Sequence, residues 1–263
     1  MATPPALPFP QYLQLLDRHE RAALDALGTL RPDATLPPDG ADALGYARDH
    51  LATLEVWAWL LANPGSGWDA FDGGPPPARY EEVLAAIGRE RDRLTRQLVD
   101  VGPDLALDYF GRPGTSYDVA RLLAHEAISV AAAAGEARGT PPSPLHPDVA
   151  SDCIDRALAH WSRSDAEVDW HPAPAHLVAA DTGRSWWIRF SDGDELDPAI
   201  APGSAASAAI VLTDDSAALL RWLEGYAGPS PRVEGDDTTL RMLRVALGHR
   251  VAPAPRRSWW RRG

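Results

Sequence analysis

The sequence predicts an α+β protein in two parts, an antiparallel four-helix bundle followed by a small α+β domain. Three observations predict it. Four long segments carry apolar residues at helical spacing before about residue 140, the Pro-rich run "RGTPPSPLHPD" breaks the pattern, and short strand-like apolar runs follow it. With 263 residues and 45% hydrophobic content, the chain has room for two cores of ordinary size. The expected domains are a helical bundle over 1–140, an α+β domain over 141–250, and a flexible Arg/Trp tail over 251–263.

The first helix covers about residues 11 to 30, with Leu13, Leu16, His19, Ala23, Leu24 and Leu27 near one face, and "RPDATLPPDG" ends it. A second runs from about Asp42 to Asn63 and carries Leu44, Ala47, Leu51, Leu54, Ala58 and Leu61. The Gly/Pro-dense loop "NPGSGWDAFDGGPPPARY" leads to a third over about 79 to 100. A fourth starts near Thr115, whose spacing to Asp118 approximates a capping box. After the Pro-rich break a fifth helix spans about 147 to 162. "AHLVAAD" and "SWWIRFSD" then read as two strands joined by a turn at Thr182 and Gly183, and "AAIVLTD" as a third. Two helices close the domain, "DSAALLRWLEGYA" and "DDTTLRMLRVALG", each preceded by Asp residues suited to capping.

Composition narrows the function classes. Net charge is -12, and all 25 basic residues are Arg, which beside abundant Ala and Pro suggests a genome of high GC content. An acidic chain is poorly matched to nucleic acid or an anionic membrane, both polyanions, so neither is expected as a partner. The local exception is "PAPRRSWWRRG", where four Arg flank Trp259 and Trp260; a frayed terminus is the plainer reading. No apolar run approaches a membrane span, and the start lacks the pattern of a secretory signal, so the cytoplasm is the expected location. The single cysteine, Cys153, rules out an internal disulfide and reads as a small buried residue. "SDGDELD" lacks the full spacing of a calcium loop and reads as a solvated turn. Trp186, Trp187 and Trp222 read as core of the second domain.

The stretch "VARLLAHEAISVAAAAGEARG" holds the residue that raises the functional question. Val119, Leu122, Leu123, Ala127, Val130 and Ala134 form one stripe, and Glu126 falls inside it. A carboxylate there must be exposed, protonated, paired with a cation, or bound to a metal. His50 on the second helix neighbours the inward stripe of Ala47, Leu54 and Trp57 and is the expected partner of Glu126. A third ligand would sit one turn beyond Glu126, at Val130, which offers no lone pair. His125 shares a face with Asp118, Arg121 and Ser129 and is expected to point outward. His19 with Glu20 could supply an alternative ligand, although a surface or core histidine is the plainer reading of His19.

On "RLLAHEAISVAAAAGEARGTPPSPLHPDVASDCIDRAL", "LVAADTGRSWWIRF" and "LLRWLEGYAGPSPRVEGDDTTLRML", most of residues 10 to 248 resembles the mycothiol-dependent maleylpyruvate isomerase family. The resemblance implies a DinB-type bundle followed by a domain similar to sterol-carrier proteins. It also implies a divalent metal, zinc, held by a His on the second helix and a Glu-x-x-x-His pair on the fourth, with mycothiol as cosubstrate. Carried onto this chain, those positions are His50, Glu126 and Val130, so the last ligand is replaced and a weakened metal site is expected. In that family the metal ionises the thiol of mycothiol for attack on a small electrophile. Two functions follow as expectations: a mycothiol-dependent isomerase or thiol transferase acting on a small-molecule thiol and an electrophilic substrate, or a non-catalytic member whose bundle cavity binds a small molecule or partner.

Overall fold

The computed structural model describes residues 7–38, 40–140, 143–160, 174–190, 200–202 and 207–249. The chain divides into two compact units, Met1–Pro144 and Leu145–Gly263. "SDGDELD" and the Arg/Trp tail lie outside the described residues.

The first unit holds α1 (Phe9–Leu27), α2 (Ala43–Ala62), α3 (Tyr80–Val101) and α4 (Ser116–Ala137). Asp42 caps α2 by accepting the Gly45 N–H at 2.7 Å. The predicted box opens α4: the Asp118 carboxylate accepts the Thr115 backbone N–H at 2.8 Å. α3 stops at Gly102, whose φ of 68° is open to glycine at little cost. α1 packs chiefly on α4, and α2 on α3.

Hydrogen bonds give the directions of these pairs. The Tyr117 hydroxyl at the start of α4 donates to Leu7 O at 2.8 Å, so α1 and α4 begin side by side. Arg48 reaches Pro77 O just before α3, while Gln97 reaches Ala58 O near the end of α2, so α2 and α3 also run together. Antiparallel packing therefore lies between the pairs, and the long α2–α3 connection carries the chain back along the bundle. Tyr80 bridges the two pairs by donating its buried hydroxyl to Leu27 O at 2.9 Å; burial pushes that phenol up to about 12.

Between α3 and α4 lies a hairpin that periodicity did not suggest, β1 (Ala106–Asp108) paired antiparallel with β2 (Pro113–Thr115). Three residues per strand are too few to show alternation. Phe110 and Gly111, at φ 56° and 76°, form its two-residue turn, closed by Tyr109 N–H to Arg112 O at 2.8 Å.

The second unit holds α5 (Pro147–His160), β3 (Ala175–Ala179), β4 (Ser185–Phe190), β5 (Ile200–Pro202), β6 (Ile210–Asp214), α6 (Ser216–Leu223), β7 (Arg232–Gly235) and α7 (Asp237–Ala246). The sheet order is β5-β4-β3-β6-β7, with β3 and β6 parallel and the other neighbours antiparallel. Ala175, Leu177, Ala179, Ile188, Ile210 and Leu212 are buried, as are Leu219, Leu220 and Leu223 of α6. The three predicted strands and two closing helices are present. The sequence does not mark the edge strands β5 and β7, because neither is long enough to show a hydrophobic period.

Asp236 caps α7 as its position suggested, accepting the Thr239 N–H at 2.7 Å. At α6 the expected cap, Asp215, makes no such bond. Asp181, from the β3–β4 turn, accepts both the backbone N–H and the hydroxyl of Ser216, at 3.0 and 2.8 Å. Ser216 is fully buried, so the turn pins the start of the helix from outside. Asp181→Ala is expected to cost the second unit about 1 to 2 kcal/mol in denaturant unfolding. A loss below about 0.3 kcal/mol would mean that water replaces the carboxylate freely.

Candidate functional site

α1 presents Tyr12, Leu16, His19, Glu20, Ala23 and Leu27 to the interior, so Glu20 sits four residues after Leu16 inside an apolar face. α2 buries Ala47, His50, Leu51, Leu54 and Trp57. A polar contact joins the two faces: His50 Nε2 and Glu20 Oε1 lie 2.8 Å apart, with side-chain exposures of 4% and 0%. The second Glu20 oxygen, Oε2, is buried without a hydrogen-bond partner among the described residues.

Burial alone would push the His50 imidazole down. The negative charge of Glu20, its hydrogen bond and the charge of Glu126 together outweigh burial and hold the His50 pKa above its ordinary value. Glu126 is thus close enough on α4 to act on His50 electrostatically, and its side chain is half-buried. Leu122 and Val130, one turn to either side of it, are buried at 4% and 3%. His50 faces inward, as its stripe predicted, but the hydrogen-bonded partner that holds it is Glu20.

Glu20 is the residue whose role sequence reasoning missed. The signal was present. Glu20 follows Leu16 by one turn within an apolar stripe, as Glu126 follows Leu122. It was obscured by placing the stripe of α1 through Leu13 and Leu24, which are only half-buried, in place of Tyr12 and Glu20.

His125 corrects another expectation. It is 2% exposed, and its ring meets Tyr12 of α1 edge-on at 5.9 Å between centroids. Ala120, Ala124 and Ala127 have no exposed surface, so α4 is covered on more than the stripe that its larger residues mark. Small side chains let α1 approach closely and enclose what a helical wheel shows as a polar flank. His19 is a core histidine, 8% exposed, with its pKa lowered by burial and then by the charge of Arg18. In the second unit Cys153, Trp186 and Trp222 are buried, whereas Trp187 stacks on His176 at 4.1 Å.

A zinc centre requires several converging donors. Here His50 Nε2 is engaged by Glu20, and the position one turn beyond Glu126 is the hydrocarbon of Val130. Among the described residues no group of three His, Cys, Asp or Glu side chains is arranged to hold a metal. The residues present therefore do not fit a three-ligand zinc centre.

Two solved structures share this architecture. One is a mycothiol-dependent maleylpyruvate isomerase, with a TM-score of 0.60 at 14% identity, covering 86% of this chain and 93% of that one. The other is a histidine-to-alanine mutant of a mycothiol-dependent maleylpyruvate isomerase, with a TM-score of 0.61 at 12% identity and the same coverage. The fold is that of the mycothiol-dependent maleylpyruvate isomerases. At such identities the likeness is one of fold. No protein-family model matches the chain, and no curated protein matches it by sequence. Among the described residues, no helix of this maleylpyruvate-isomerase fold is long and apolar enough to cross a membrane.

Proposed function

We propose that the chain is a maleylpyruvate-isomerase-like protein that takes a small-molecule thiol, mycothiol in the first instance, together with a small electrophilic substrate. In this reading the His50–Glu20 pair handles the thiol proton in place of a three-ligand metal. The observation that carries it is the buried 2.8 Å contact between His50 and Glu20, at the position where the fold resemblance implies a metal ligand. A thiol is a weak nucleophile until it loses its proton. His50 is suited to receive that proton because the adjacent carboxylates favour the imidazolium form, and an imidazolium beside a thiolate holds the thiolate for attack.

The near-complete seclusion of the pair favours a second reading, a non-catalytic member whose bundle binds a small molecule or partner, since a thiol must reach His50 before it can react. Protein purified without an affinity tag separates these readings. Isomerisation of maleylpyruvate that requires mycothiol and survives a chelator supports the first, and a mycothiol-induced rise in melting temperature without turnover supports the second. No shift and no turnover would sink both. Retention of about one equivalent of zinc would overturn the metal-independent assignment and restore His50 and Glu126 as metal ligands.

A further inference from the structure

We propose that Glu20 is a positioning residue for His50: by accepting the Nε2 proton it sets the plane of the ring and leaves Nδ1 as the nitrogen that meets a ligand. The role assigned to Nδ1 rests on the thiol reading above; the role of Glu20 rests on geometry alone.

A carboxylate has no proton to give, so a 2.8 Å contact to an imidazole nitrogen requires that nitrogen to carry the hydrogen. A neutral ring with its hydrogen on Nε2 has its lone pair on Nδ1, and the partner of one nitrogen decides what the other can do. The alternative, a protonated Glu20 donating to a bare Nε2, requires a neutral acid and a neutral imidazole beside the charge of Glu126. Only the first arrangement puts the proton on Nε2, where nitrogen-15-edited proton NMR reads it.

Two further observations make Glu20 more than packing. It is fully buried, so water does not compete for Oε1, and Oε2 is satisfied by no other group among the described residues. A carboxylate with one donor in place of three or four concentrates its acceptor strength on that donor. The pair also spans two helices, because Glu20 is on α1 and His50 on α2, so the ring orientation depends on their packing and not on a local helical turn. Glu126 acts on the imidazole from α4, a third helix.

Proton NMR of uniformly nitrogen-15-labelled full-length protein tests this directly, with His50 assigned through His50→Gln. A low-field imidazole proton that exchanges slowly with water is expected on Nε2 of His50 in the wild type. In Glu20→Gln the amide oxygen still accepts, so the proton should stay on Nε2 but move upfield. In Glu20→Ala the resonance should vanish into exchange. At a pH above the titration of His50, where the ring is neutral, a slow proton on Nδ1 with Nε2 bare, no protected ring proton, or a spectrum unchanged in Glu20→Gln would each overturn the proposal. Wild type and Glu20→Gln decide the matter even if Glu20→Ala does not fold. If the wild type turns over substrate, Glu20→Gln should lower kcat roughly a hundredfold with little change in KM for the thiol. The expected NMR signature with no mycothiol response defeats only the functional reading, whereas a mycothiol response with the proton on Nδ1 defeats only this one.

Discussion

Replacing Glu20 with alanine is expected to destabilise the helical bundle by about 3 to 5 kcal/mol, the usual consequence of removing one partner from a buried ion pair. The variant leaves His50 in the core with its charge unbalanced, or forces it to become neutral, and opens space between α1 and α2 where no solvent reaches in the wild type. Glu20→Gln keeps the shape and one acceptor and should lose less. The pH dependence has a definite sign. Because the folded His50 pKa lies above the ordinary 6.5, its contribution is fully present below about 6.5 and is lost as pH rises through the folded value. The difference in stability between wild type and Glu20→Ala should therefore shrink at alkaline pH. Urea unfolding followed by circular dichroism at two pH values measures it, and a difference that grows with pH would show that the pair does not form as a charged pair.

Trp57→Ala is expected to cost a similar amount, about 3 to 5 kcal/mol, by a different physical route. Trp57 lies two turns beyond His50 on the same face of α2 and is 1% exposed. Its ring meets Tyr109 at 5.5 Å and Phe110 at 5.2 Å between centroids, so it joins the bundle to the β1–β2 hairpin. Phe110 needs that support because its φ of 56° is unfavourable for a bulky side chain, and it remains 44% exposed. Removing the indole should abolish hydrogen-exchange protection of Tyr109 N–H before the rest of the bundle opens. Unchanged protection there, with a loss under about 1 kcal/mol, would mean that the hairpin is held by its turn alone.

How much was legible in the sequence differs by element. The long helices, the Thr115–Asp118 box and the strands "AHLVA", "SWWIRF" and "IVLTD" could be read in advance, because each repeats a local period or cap chemistry over enough residues. The inward position of His50 was legible for the same reason, since its helix carries a clear stripe. Short strands of three or four residues were not, because their hydrogen-bond partners come from distant chain and no local period records them.

The site divides along the same line. By itself the sequence determined that a carboxylate falls on an apolar face of α4, that an imidazole falls on one of α2, and that valine stands where a further donor would be. Only the tertiary structure decided which carboxylate takes the imidazole. Glu20 and Glu126 both follow a leucine by one helical turn, and nothing local distinguishes them as partners for His50. The choice depends on where α1 places Glu20 relative to α2, and α1 is held chiefly by its packing on α4, where Ala120, Ala124 and Ala127 are fully buried. A helical stripe specifies what must be buried, whereas the partner that neutralises a buried charge is specified by distances across helices, which no single segment contains.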